Sequence, residues 1–147
     1  MTNDWLRILD ADERKERIGA DLERFVAREG DAWCLRFNPG LKKALVEKLG
    51  DTEIVKLIFQ LADEQHGLER TENEERQNRL RMWQEDVDLD TKMCENDERI
   101  LEKLDLMLEH QQAELQQQGV PAFRVTKNTR EIELQMKILQ FVLSTRN

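Results

Sequence analysis

Apolar positions recur at helical spacing through most of the chain. Ile18, Leu22, Phe25 and Val26 share one helix face before Gly30, and Asp10 with Glu13 three residues later has the form of an N-terminal cap. Glu13 and Arg17 are spaced for an ion pair on the wet face. Upstream, Trp5, Leu6, Ile8 and Leu9 make a short apolar patch. The six residues AWCLRF then lead to Asn38-Pro39-Gly40, a turn signal. A lone strand there would lack a partner for its backbone groups, so the pattern predicts an extended or short helical connector whose Trp33, Leu35 and Phe37 plug the core. A helix from Leu41 to Leu49 ends at Gly50, and Asp51 caps another running through Ile54, Leu57, Ile58 and Leu61, closed by His66-Gly67.

From Leu68 to Gln118 there is neither glycine nor proline, and charged residues and glutamine dominate. Leu80, Val87, Cys94, Leu101, Leu108 and Leu115 follow one another at seven-residue intervals, as on a helix packed along a partner. Three positions after each come Trp83, Asp90, Asp97, Leu104, Gln111 and Gln118, too polar for a simple zipper seam. Met93, Ile100 and Met107 widen the stripe on its other flank, which suits a bundle. DVDLDT, between Asp86 and Thr91, is weak helix material, so the segment is either one long helix or a hairpin broken there. The single helix is the favoured form: it would reach about 75 Å and so must project or pair with a second chain, which is the main argument for self-association. Gly119-Val120-Pro121 ends the element. Ile132 to Leu143 fits both helical and alternating spacing, but Asn128 or Thr129 as cap and high helix propensity favour a helix. Its ILQFVL run is apolar nearly all round and must be buried.

The pattern therefore predicts an all-α fold, a helical bundle with a long, charged, coiled-coil-like central helix or helical hairpin. Three parts are expected: an N-terminal helical unit over 1–67, the acidic element over 68–118, and a C-terminal helix within 119–147.

Charge sharpens this picture. The 147 residues carry a net charge of −8, and residues 68–119 carry −8 by themselves. Such a surface repels phosphate backbones and argues against direct nucleic-acid binding, although residues 120–147 sum to +3. No apolar run of about 20 residues is present to span a bilayer. The acidic N-terminal MTNDWLRILDADERKER lacks the basic and apolar regions of a secretory signal, which predicts a cytoplasmic protein. Cys34 and Cys94 form no CxxC pair and are expected as buried free thiols.

Chemical motifs are few. Asp86, Asp88, Asp90 and Asp97 approach the spacing of a calcium loop, but Thr91 stands where glycine is required and Asp97 where a bidentate glutamate is required. Asp63 and His66 have the spacing of half a di-iron site, but Met107 stands three before His110, so the second half is missing. No phosphate loop, dinucleotide turn or nucleophile elbow occurs. The expectation is a non-catalytic protein–protein interaction module without cofactor or metal: an adaptor, assembly factor or chaperone-like protein, acting as a homodimer. Leu80, Trp83, Val87, Leu101, Leu104 and Leu108 are the candidate partner-binding residues, and a partner with a basic surface fits the charge. Trp83 amid charged neighbours, like Trp5, has the setting of an interaction hot spot. Alternatives are a small acidic chaperone for secreted or assembling clients, a helical metal-binding protein, and a DNA-associated regulator using the basic C-terminal tail.

Overall fold

A computed structural model describes residues 8–146, so Trp5 and Leu6 lie outside the described residues. The fold is all-α, with six helices and no strand among the described residues: α1 (Ala11–Glu29), α2 (Asp31–Arg36), α3 (Pro39–Leu49), α4 (Thr52–Met82), α5 (Leu89–Gln117) and α6 (Thr129–Ser144). The described residues form two compact units, one of residues 8–59 with 112–146 and the other of residues 60–111.

In the first unit, local signals act where the sequence places them. Asp10 caps α1 by accepting from the Glu13 backbone N–H at 2.9 Å, and Asn38 caps α3 through Leu41 at 2.8 Å. Asp51 accepts from Glu53 at the start of α4, and Asn128 from Glu131 at the start of α6. Each satisfies a backbone donor that a helix start leaves unpaired. Ile18, Leu22, Phe25 and Val26 are all buried. Phe25 meets Phe141 of α6 with ring centroids 5.4 Å apart and planes tilted by 59°, a favourable aromatic geometry. Ile138, Phe141 and Val142 are buried, so the ILQFVL run supplies core, and the ambiguous segment is a helix. On the rim of α1, Arg17 lies 3.8 Å from Asp21.

α5 ends in a left-handed turn. Gly119, at φ +77°, donates to the Gln116 carbonyl, and Val120 donates to that of Leu115. These two hydrogen bonds satisfy carbonyls of the last turn, and the buried side chains of Val120 and Leu115 complete the motif. The following loop is held by two buried glutamines. Gln112 grips the Thr126 backbone on both sides, donating to its carbonyl and accepting from its N–H at 3.2 Å each, and donates to Gln135 at 2.9 Å. Gln135 in turn donates to the carbonyls of Ala122 and Arg124, fixing Ala122 at its positive φ of 72°.

Three expectations change. The connector after Gly30 is the short helix α2, so Phe37, four residues after Trp33, is buried while Leu35 points away and is 82% exposed. Cys34 and Cys94 are both exposed free thiols, because each sits on the outer side of its helix. Nor does His66-Gly67 end a helix: α4 runs through both to Met82, since a helix this long tolerates one interior glycine at a cost of about 1 kcal/mol.

These two glycines should respond oppositely to alanine. A Cβ at Gly67 meets nothing within 4 Å, so Gly67→Ala is expected to raise stability by about 0.5–1 kcal/mol. Gly119→Ala forces alanine into the left-handed region and should lower stability by about 1–2 kcal/mol. Urea unfolding midpoints check both signs.

Candidate protein-interaction surface

Residues 60–111 form an antiparallel helical hairpin. α4 stops at Met82 and α5 starts at Leu89, so the segment takes its hairpin form and the favoured single helix is corrected. The reversal is built from the weak helix formers. Asp86 accepts from the Asp88 backbone N–H at 2.7 Å and binds Lys92 Nζ at 2.5 Å, and the Asp88 carbonyl receives Lys92 N–H to open α5. Such carboxylate-to-backbone bonds compete with helix continuation. With the long helix gone, the length argument for a second chain no longer applies.

Polar pairs join the two helices. Arg76 binds Asp97 through two bonds of 2.8 and 3.2 Å, Arg79 donates to Asn96 at 2.8 Å, and Lys103 meets Glu72 at 2.8 Å. Farther along, Gln111 donates to the Leu61 carbonyl and to Gln65. Partners on α5 advance as those on α4 recede, which fixes the antiparallel sense. Glu72, Asn96 and Gln111 are buried, and Glu72 Oε2 and Asn96 Nδ2 have no hydrogen-bond partner among the described residues. Buried polar layers of this kind cost stability relative to apolar ones while penalising any shifted register.

The candidate residues are thus distributed over three elements. Leu80 is half-buried on α4, and Trp83 sits just past its end with Lys92 Nζ 5.6 Å from the ring centroid. Val87 lies in the turn and is 98% exposed, so the seven-residue series does not run along a single helix. On α5, Leu101 is 59% exposed, while Leu104 and Leu108 are half-buried. The inward row of α5 contains Met93, buried, with Ile100 and Met107, half-buried. This row was visible as the flank of the leucine series, at the same seven-residue interval. Of the leucine series, Val87, Cys94 and Leu101 are exposed, Leu80 and Leu108 half-buried and Leu115 buried, and Leu106, 65% exposed, and Met82 near the turn lie outward as well. Leu106 and Met82 fall outside every seven-residue row, and no sequence signal marked them.

Acidity surrounds these side chains. Residues 60–111 hold sixteen acidic against seven basic side chains, a net −9, leaving +1 for the rest of the chain. Glu98, Glu102, Asp105 and Glu109 follow one another along α5 beside Leu101. Asp63 and His66 lie exposed on α4, with His66 Nδ1 3.9 Å from Glu69. Among the described residues, no three His, Cys, Asp or Glu side chains converge as a metal site would require. No described helix is long and apolar enough to cross a membrane.

A family model described as DiGeorge syndrome critical region 6 (DGCR6) protein matches residues 60–147. The chain belongs to the DGCR6 family. The matched span takes in the whole hairpin, the glutamine-held loop and α6. Gonadal protein gdl of Drosophila melanogaster is 48% identical over 52 residues, which cover 35% of this chain and 27% of that protein. The chain thus spans about a quarter of the length of that curated relative. No solved structure matches.

Four carboxylates of this DGCR6-family chain are held below the usual range, Asp10 first of all by the Glu13 backbone N–H that it accepts as the cap of α1. Asp86 is lowered by its hydrogen bonds from Lys92 and the Asp88 backbone, Asp97 by Arg76, and Glu131 by Arg124 and then Thr126. A carboxylate depressed by folding adds stability above its unfolded pKa, and that stability is lost as pH falls through the folded value. Unfolding midpoints should accordingly be flat near neutrality and decline below about pH 4 to 5. Asp97→Asn and Glu131→Gln should each shallow this acid decline, and an unchanged profile would discount the pairs.

Proposed function

We propose that this chain is a non-catalytic protein-interaction module, an adaptor or assembly factor with chaperone-like capacity, whose hairpin receives a basic amphipathic helix from a partner. One observation carries the reading: the helices of residues 60–111 meet through polar pairs while Leu101 and Leu106 stay exposed among carboxylates. A partner helix with arginine or lysine on its flanks and leucine along its centre would cover the leucines and neutralise the rim. Rim charges mainly steer the encounter and select the sign of the partner, and the buried leucine contact supplies affinity.

Self-pairing of two hairpin faces is disfavoured on the same grounds. It would set a −9 surface against its copy, and like charges repel. A homodimer therefore needs a different contact.

A synthetic helical peptide with leucine on one face and arginine on its flanks is the probe. Calorimetry with the intact chain should detect binding that weakens with salt. Leu101→Asp should reduce affinity about tenfold or more, equivalent to at least about 1.4 kcal/mol. A peptide of equal charge with its leucines scrambled should bind more weakly. Absence of binding, or equal affinity for both peptides and for the Leu101→Asp chain, would overturn the proposal.

A further inference from the structure

Resting on that reading of the hairpin, we infer that its acidic face docks on the arginine ridge of α1 in a second copy of the chain. Arg17, Asp21, Arg24 and Arg28 line a surface groove of about 370 Å³ in the first unit, closed on its other side by Phe141, Ser144 and Thr145 of the α6 end. Three guanidinium groups face it against one carboxylate. Asp21 is already engaged by Arg17 at 3.8 Å and by Arg24, and the Arg17 and Arg24 side chains remain half or more exposed. Lys137 pairs with Glu29 at 3.1 Å, so that acid is also engaged.

The complement lies on α5. Glu98, Glu102, Asp105 and Glu109 repeat at intervals of four, three and four residues, and Arg17, Asp21, Arg24 and Arg28 repeat at the same intervals. Each row spans eleven residue steps, about 16 Å of helix. The α5 row is acidic throughout and the α1 row sets three arginines against one aspartate that Arg17 and Arg24 flank, so two rows of equal length can face each other with several attractive contacts that reinforce one another. Helical spacing places Leu101 at the edge of the acidic row. A hairpin-to-hairpin contact has no such complementarity, and a basic helix from an unrelated partner would compete for the same face.

Light scattering on the whole chain tests this. At about 100 µM in about 0.05 M salt the mass should be at least twice the 17.5 kDa of one chain, twofold where both faces pair reciprocally and higher where the contact runs head to tail, falling toward one chain in about 0.5 M salt. Arg24→Glu with Arg28→Glu should give a monomer, as should Glu98→Lys with Glu102→Lys, each with unchanged helicity by circular dichroism. Mixing the two variants restores opposite signs at both ridges, and the dimer should return. A monomeric wild type, a dimer insensitive to either reversal, or a mixture that stays monomeric would overturn the inference. The arginine-flanked peptide separates the two ideas: a monomeric wild type that binds it removes the self-docking alone, and one that does not bind it removes both.

Discussion

The reversal between Met82 and Leu89 decides what the acidic half of this chain can present. There the Asp86 carboxylate accepts from the Asp88 backbone and from Lys92, while the Asp86 carbonyl receives the Leu89 N–H and the Asp88 carbonyl the Lys92 N–H at the start of α5. Each bond removes an incentive for the helix to continue, and together they replace one rod by two antiparallel helices. Every cross-helix pair follows from that turn. Arg79 can reach Asn96, and Lys103 can reach Glu72, only because the chain folds back at this point.

The turn alone would leave register loose, since two charged helices can slide by a heptad at small cost. The buried layers remove that freedom. Moving Glu72 away from Lys103, or Asn96 away from Arg79, would strand a buried polar group, which costs more than an apolar mismatch. Glu72 Oε2 and Asn96 Nδ2 already lack a hydrogen-bond partner among the described residues, so the interface has not been optimised for stability. Its polar composition spends stability on a defined alignment and keeps the leucines free for outward contact.

Much of this was legible in the sequence because its causes are local. Asp10, Asn38, Asp51 and Asn128 cap helices through bonds that reach only two or three residues ahead, and Gly119 ends α5 by adopting a conformation open to glycine. The hairpin was not decided by local signals. DVDLDT marked where a break could fall, but the contest between continuation and reversal depends on what α4 offers α5. The leucine series stands out in the sequence because its seven-residue interval is unbroken over six positions, yet Met93, Ile100 and Met107 face inward with Asn96 and Gln111. Polar seam positions are invisible to a hydrophobic reading until their partners, Arg79 and Gln65, are known to lie opposite. Gly67 misled for a related reason: a glycine that ends a short helix is merely a weak point inside one of 31 residues.

The charge of the chain takes on a different meaning once it is divided by unit. A net −8 spread evenly would promote solubility and little else. Here residues 60–111 hold −9, and the remainder, at +1, includes an arginine ridge on α1. One chain thus carries two surfaces of opposite sign, each built on a rigid helix. Rigidity matters because side chains anchored at fixed helical intervals lose less freedom on docking than the same charges on a flexible tail. On the proposed reading, selection by sign follows: one acidic face repels another acidic face and favours a basic helix. Where such a helix also covers Leu101 and Leu106, steering by charge is converted into lasting contact.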